Sequence, residues 1–276
     1  MSDASHITRR ANSNLAFALH ILPRQRRNDA VVFYAFCRTL DDLADASGIP
    51  ADQRQAALES WRTGLVSGFE NPDTLQCQVL ALRERHGIPT ELLTAIIDGC
   101  LSDLQPQRFQ SWDDLSEYVW RVACAVGLVS IRLFGCQDPG AERYAIALGR
   151  ALQITNILRD IREDHDNDGR IYLPLDDLAR CHYTEMDLAD HKHDERFLRL
   201  MAFEADRADG FFREAAETLP AADRRALAPA RIMGEIYQQL LVRMRRDGFR
   251  VFEKRYRIPH GRKLAILTKH LISGWF

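Results

Sequence analysis

The sequence predicts an all-α fold, a bundle of helices closed around one core. Three observations carry that expectation. Apolar residues recur at helical spacing through most of the 276 residues, alternating strand-like patterns are nearly absent, and two segments each set a polar stripe beside an apolar one. No Ser/Gly-rich linker and no internal repeat divides the chain, so a single domain over residues 1–276 is expected, long enough to bury a sizeable core.

Helix boundaries follow from punctuation at Gly48–Pro50, Asn71–Pro72, Gly87–Pro89, Pro106, Gly135–Pro139, Leu219–Pro220 and Pro259–Gly261. Pro23, followed by Arg24, Arg26 and Arg27, opens the first striped segment. There Tyr34, Arg38, Asp41 and Asp45 follow at spacings of 4, 3 and 4, while Val32, Phe36, Leu40 and Leu43 form a separate apolar stripe. Thr90 starts another helix after Pro89, and Ser111 with Asp114 has the form of a capping box. The stretch Tyr118–Gly127 carries Ala123, Ala125 and Gly127, which permit close helix approach or leave room for a ligand tail; core packing explains them equally well. In the second striped segment Gln153, Asn156, Asp160 and Asp164 stand at spacings of 3, 4 and 4, beside Ala147, Ala151, Ile154, Leu158 and Ile161.

The two acidic clusters, DDLAD at Asp41–Asp45 and NILRDIRED from Asn156 to Asp164, begin 115 residues apart. Carboxylates at i and i+4 leave one face of a helix, repel, and call for a compensating cation. Hard oxygen donors suit Mg²⁺, which keeps most of its waters and takes one or two carboxylates plus substrate phosphates. A single DxxxD is usually a solvated face. Solvated faces, however, carry mixed Lys and Glu, whereas these stripes carry Asp, Asn, Gln, Tyr and Arg, which suits a polar lining inside a bundle. Two such pairs facing each other would hold a metal–diphosphate head group.

Composition excludes several classes. The net charge of −2 gives no global basic field and no case for nucleic acid. Residues 231–276 hold 11 Arg or Lys against 3 Asp or Glu, and this basic region can meet an anionic membrane surface or a diphosphate; a solvated helix end is the equal alternative. The six cysteines (Cys37, Cys77, Cys100, Cys124, Cys136, Cys181) show no CxxC or zinc-like spacing and read as small core residues in a reducing cytosol. Met1–Arg10 is polar and no apolar run approaches bilayer-spanning length, so the expected location is cytoplasmic, with any membrane contact peripheral. No GxSxG, P-loop or GxGxxG context exists. Asp164, Asp166, Asp168 and Gly169 imitate an EF-hand start, but Leu175 occupies the twelfth position where Glu is required; Asp166 and Asp168 read as loop residues. His191 and His193 in DHKHDE read as a solvated turn rather than a metal site.

Taken together, YAFCRTLDDLAD (Tyr34–Asp45), YVWRVACAVG (Tyr118–Gly127), ALQITNILRDIRED (Ala151–Asp164), GRIYLP (Gly169–Pro174) and PARIMGEIY (Pro229–Tyr237) make the chain resemble the squalene/phytoene synthases. Among these it looks most like the bacterial presqualene diphosphate synthases of the hopanoid pathway. The resemblance implies an isoprenoid-synthase helical bundle with a central cavity between two Asp-rich helices. It further implies head-to-head condensation of two prenyl diphosphates, farnesyl diphosphate first among them, with several Mg²⁺ ions bound alongside diphosphate.

By position, Asp41, Asp45, Asn156, Asp160 and Asp164 match the family's metal ligands, and Asp42 falls in a variable slot. Arg38, Arg159 and Arg255 match phosphate-side residues, with an intrahelical pair to Glu163 as the plainer role for Arg159. Tyr34, Gln153 and Tyr237 match residues lining the reacting centre, and Leu15 falls where the family has an aromatic substrate contact. Squalene synthases usually carry Tyr where this chain has Arg121, and no nicotinamide motif is visible, so NADPH is not expected to be required. Squalene, dehydrosqualene and phytoene synthesis remain open as alternatives, as do a terpene cyclase and a non-catalytic assembly protein. Oligomeric state is left open.

Overall fold

A computed structural model describes residues 18–46 and 48–273, which form twelve α-helices, one 3-10 turn (Leu19–Ile21) and one π turn. Helix α1 (Arg24–Ala44) starts on Pro23, and Asp45 is its C-cap, the backbone N–H donating to the Asp41 carbonyl at 2.9 Å. Helices α2 (Ala51–Ser67), α3 (Thr74–His86) and α4 (Thr90–Ser102) follow. The Asp73–Gln76 capping box that opens α3 satisfies two end groups reciprocally.

Helix α5 (Trp112–Val119) opens on the expected Ser111–Asp114 box, and the chain then widens into a π turn (Trp120–Cys124) before α6 (Ala125–Phe134). Helix α7 (Gly140–Asp168) is the 29-residue axis of the molecule, about 43 Å long at the α-helical rise. It stops where Gly169 adopts φ 64°, a conformation glycine takes without Cβ strain. Asp166 and Asp168 therefore belong to the last turn of α7 and not to a loop, because the helix continues until that glycine ends it. Helices α8 (Leu175–Arg180), α9 (Glu185–Ala189), α10 (Glu195–Thr218), α11 (Ala228–Arg246) and α12 (His260–Ser273) complete the order.

Helix α10 packs along α7, and α6, α11 and the π turn close around it, while α1 packs on α3, α4 and α6. The predicted apolar stripes point into this packing. Ala147, Ala151, Ile154, Leu158 and Ile161 are all buried, as are Phe36 and Leu40, and Val32 and Leu43 are half-buried. Apolar burial of this kind is the main stabilising contribution. The cysteine expectation holds for Cys100, Cys124 and Cys181 but not for Cys77, which is exposed on α3.

Two features position the site. The π turn fits between α4 and α7 because glycines face it: a Cβ at Gly99 would lie 2.5 Å from Val122 Cγ1, and one at Gly149 would lie 3.1 Å from the Ala123 carbonyl. The second feature is a pair of straps, 105–111 and 169–176, joined by Ile171 N–H to the Gln107 carbonyl (3.1 Å) and Leu175 N–H to the Phe109 carbonyl (2.9 Å). Their single parallel bridge is the only β-pairing among the described residues. No described helix is long and apolar enough to cross a membrane.

Candidate active site

A cavity of about 470 Å³ runs between α1, α4, the α5–α6 segment, α7 and α11. Its wall follows helical periodicity: Tyr34, Cys37 and Asp41 on α1, and Leu148, Leu152 and Asn156 on α7. The lining includes the largely apolar Phe33, Phe134, Tyr144 and Met233 and the polar Asp41, Asp103 and Asn156. Such a lining suits a ligand with a hydrocarbon tail and an anionic head.

The polar residues in and around the cavity include most of those expected from the sequence. Tyr34, Asp41, Gln153, Asn156 and Tyr237 line the cavity directly. Asp41 is pushed up to about 6, chiefly by desolvation, opposed by Arg38 and reinforced by the charges of Asp45, Asp42 and Asp103. Burial, followed by the negative charge of Asp160, pushes Asp164 up to about 7, with Arg170 pulling the other way. Carboxylates crowded in this manner favour protons or cations. Asp160 is held on one side by the adjacent Arg159 and on the other by Arg255 Nε at 3.1 Å. Arg255 also reaches Glu163 at 2.8 Å, so Glu163 pairs with Arg255, and Arg159 turns instead to Asp160 and Tyr237.

Two expected residues stand farther out. Arg38 pairs with Asp42 at 2.6 Å on a largely exposed turn, although its charge still reaches Asp41. Asp45 is 63% exposed and contacts Arg170 at 3.4 Å. Leu15 lies outside the described residues. Arg121 is not part of the cavity wall; its side chain is 41% exposed and faces Glu117 on the preceding turn.

The structure adds a group that sequence reasoning missed. Asp103, just past α4, accepts the Tyr118 and Tyr172 hydroxyls at 2.9 Å each, and its carbonyl accepts from Arg170 at 2.9 Å. Burial raises its carboxyl pKa against these hydrogen bonds. Asp103 acts electrostatically on both Asp41 and Asp164, and Arg170 on Asp103 and Asp164. The two acid clusters thus share one anion and one cation, and Arg170 is the compensating charge that their repulsion demands. Arg170 and Tyr172 lie in GRIYLP, so a signal existed; Asp103 is an isolated carboxylate with no periodic partner.

The donor set can be tested against a divalent cation. It is wholly oxygen, and the buried Oδ1 of Asn156 has no hydrogen-bond partner, as expected of an atom positioned to coordinate. The residues fit such an ion.

The chain is a member of the squalene/phytoene synthase family, whose model matches residues 8–262. It is 35% identical over 272 residues to a presqualene diphosphate synthase from Rhodopseudomonas palustris, covering 98% of this chain and 96% of that one. It is 32% identical over 285 residues to a phytoene synthase from Arthrospira platensis, covering 96% and 92%. A squalene synthase from Alicyclobacillus acidocaldarius superposes with a TM-score of 0.80 at 26% identity, covering 89% of this chain and 93% of that one. A dehydrosqualene synthase shares the fold with a TM-score of 0.83 at 24% identity, covering 98% and 96%. The family transfers prenyl groups head to head and depends on divalent metal.

Proposed function

We propose that this chain condenses two farnesyl diphosphates to presqualene diphosphate with Mg²⁺, without NADPH, acting as one catalytic domain over residues 1–276. The observation that carries the reading is the convergence of both acid clusters, through Asp103 and Arg170, on one largely apolar cavity. Asp41 and Asp45 would hold the ions from α1, and Asn156, Asp160 and Asp164 from α7. A divalent ion held by these residues would supply positive charge to offset a departing diphosphate, which would favour ionisation of the allylic ester.

The chain's own residues do the rest. Arg38, Arg159 and Arg255 offer planar forks to phosphate oxygens, which match them in charge and geometry. The apolar wall excludes water that would quench an allylic cation. Tyr34 and Tyr237 present rings to the cavity, where their faces stabilise positive charge. The acceptor's double bond attacks the donor carbon, one diphosphate leaves, and loss of one proton closes a cyclopropane; the second diphosphate stays on the product.

Stopping at that product is supported by the match to presqualene diphosphate synthases over nearly the full chain and by the lack of a nicotinamide motif. Phytoene synthases are also similar, and C20 substrates are the second reading. The reading includes peripheral contact with anionic lipid through the basic region, where exposed Leu264 adjoins Arg262 and Lys263. The test is incubation with farnesyl or geranylgeranyl diphosphate and Mg²⁺, with and without NADPH, followed by mass spectrometry. Presqualene diphosphate should accumulate from farnesyl diphosphate and be unchanged by NADPH. Squalene formed with NADPH, dehydrosqualene without it, phytoene, or a C15 hydrocarbon would each replace this product assignment.

A further inference from the structure

Outside the cavity, the last turn of α7 meets the loop that joins α9 to α10. His191, expected in a solvated turn, instead reaches 25 residues back along the chain, its Nε2 lying 2.9 Å from Asp166 Oδ1. His165, one residue earlier on α7, brings Nδ1 to 3.8 Å from the same carboxylate oxygen. All three candidate ligand atoms lie within 4.8 Å of one another. His165 Nδ1 is buried and makes no hydrogen bond, which is costly for a ring nitrogen unless something else takes its lone pair or proton.

The surroundings hold these groups in place. Arg162 donates from Nε to the other Asp166 oxygen at 3.2 Å and from NH1 to the Phe252 carbonyl at 2.7 Å. The Phe252 ring stacks on His191 with centroids 5.0 Å apart. His191 has φ 52°, in the left-handed region that few non-glycine residues occupy, histidine being among those found there more often. His193 is committed elsewhere, to the Gly248 carbonyl at 2.7 Å.

We infer that His165, Asp166 and His191 form a second cation site, separate from the diphosphate site and specific for a borderline transition-metal ion such as Zn²⁺. Two imidazoles and one carboxylate are a tetrahedral zinc donor set with the fourth position left to water, and they differ in kind from the all-oxygen set that suits Mg²⁺. The Arg162–Asp166 contact supplies the outer hydrogen bond that orients a ligating carboxylate. The α7 C-terminus adds the negative end of the helix dipole. An ion here ties the 190–194 loop to α7 one residue beyond Asp164, and so steadies the helix end that carries the second acid cluster.

The test is equilibrium dialysis of the full chain against micromolar Zn²⁺ with millimolar Mg²⁺ present, metal being counted by mass spectrometry. Wild type, His165→Gln, His191→Gln, His193→Gln and Asp160→Asn are compared, with circular dichroism to confirm folding. The expected result is about one zinc per chain in wild type, His193→Gln and Asp160→Asn, and its loss in His165→Gln and His191→Gln. A zinc-dependent rise in melting temperature should follow the same pattern. The proposal is overturned if wild type retains no zinc, leaving Asp166 a plain ion-pair partner. It is equally overturned if folded His165→Gln and His191→Gln retain the zinc, or if Asp160→Asn alone loses it, since the metal then sits among the Mg²⁺ ligands.

Discussion

At the residue scale, the carboxylates of the site are unequal, and that inequality is measurable. Asp41 remains open to solvent, yet partial desolvation and the neighbouring acid charges push it up to about 6, so the folded metal-free chain holds this proton more tightly than the unfolded chain, whose value is 3.8. Its contribution to stability is therefore fully present below 3.8 and is lost as pH rises through about 6. Asp41→Asn should raise the melting temperature of metal-free protein at pH 8, by a modest amount because solvent screens a residue this exposed, and give no gain near pH 4. Thermal unfolding in chelator at the two pH values checks this; equal melting at pH 8 would mean that Asp41 is not desolvated. The same substitution, like Asp160→Asn, should lower turnover by at least about 100-fold, because metal-site ligands tolerate replacement even less than their outer partners do. These carboxylates were legible because i, i+4 repetition survives in a linear string. Asp103 was not, since its partners Tyr118 and Tyr172 are 15 and 69 residues away. His191 was hidden for the same reason.

At the element scale, the long helices follow from the 3.6-residue period and their caps, and both striped segments fold as predicted. The π turn left no trace in the pattern, because one extra residue in a helix shifts a stripe without erasing it. Its existence depends on the glycines that face it. A paired substitution tests this. Alanine is ordinarily the better helix former by about 1 kcal/mol, and Gly210→Ala on α10, where a Cβ would meet nothing nearer than Arg213 NH2 at 3.9 Å, should stabilise the protein. Gly149→Ala on α7 should do the opposite, costing about 1–3 kcal/mol, because its Cβ would press on the backbone of Ala123 and Cys124 at 3.1 Å. Chemical denaturation of the two variants reads the signs directly. Stabilisation by Gly149→Ala would show that the π turn yields freely.

At the scale of the whole molecule, one helix joins the cavity to the second acid cluster. On α7 the cavity wall runs from Tyr144 to Asn156, about 18 Å of helical rise, and the acidic residues Asp160 and Asp164 follow it toward the helix end. Fold class and family were legible because the motifs stand in order along nearly the whole chain. The product was not, since the point at which the reaction stops depends on relative barriers within the cavity rather than on any motif. The central claim is that acid pairs from α1 and α7 make one metal–diphosphate site. Calorimetric titration with farnesyl thiodiphosphate, which keeps the head group but ionises poorly, tests it most directly. Binding should require Mg²⁺ in wild type and be weakened at least about 100-fold, roughly 2.7 kcal/mol, in folded Asp41→Asn and Asp160→Asn alike. Mg²⁺-dependent binding of wild-type strength in either folded variant would contradict a site shared between the two helices.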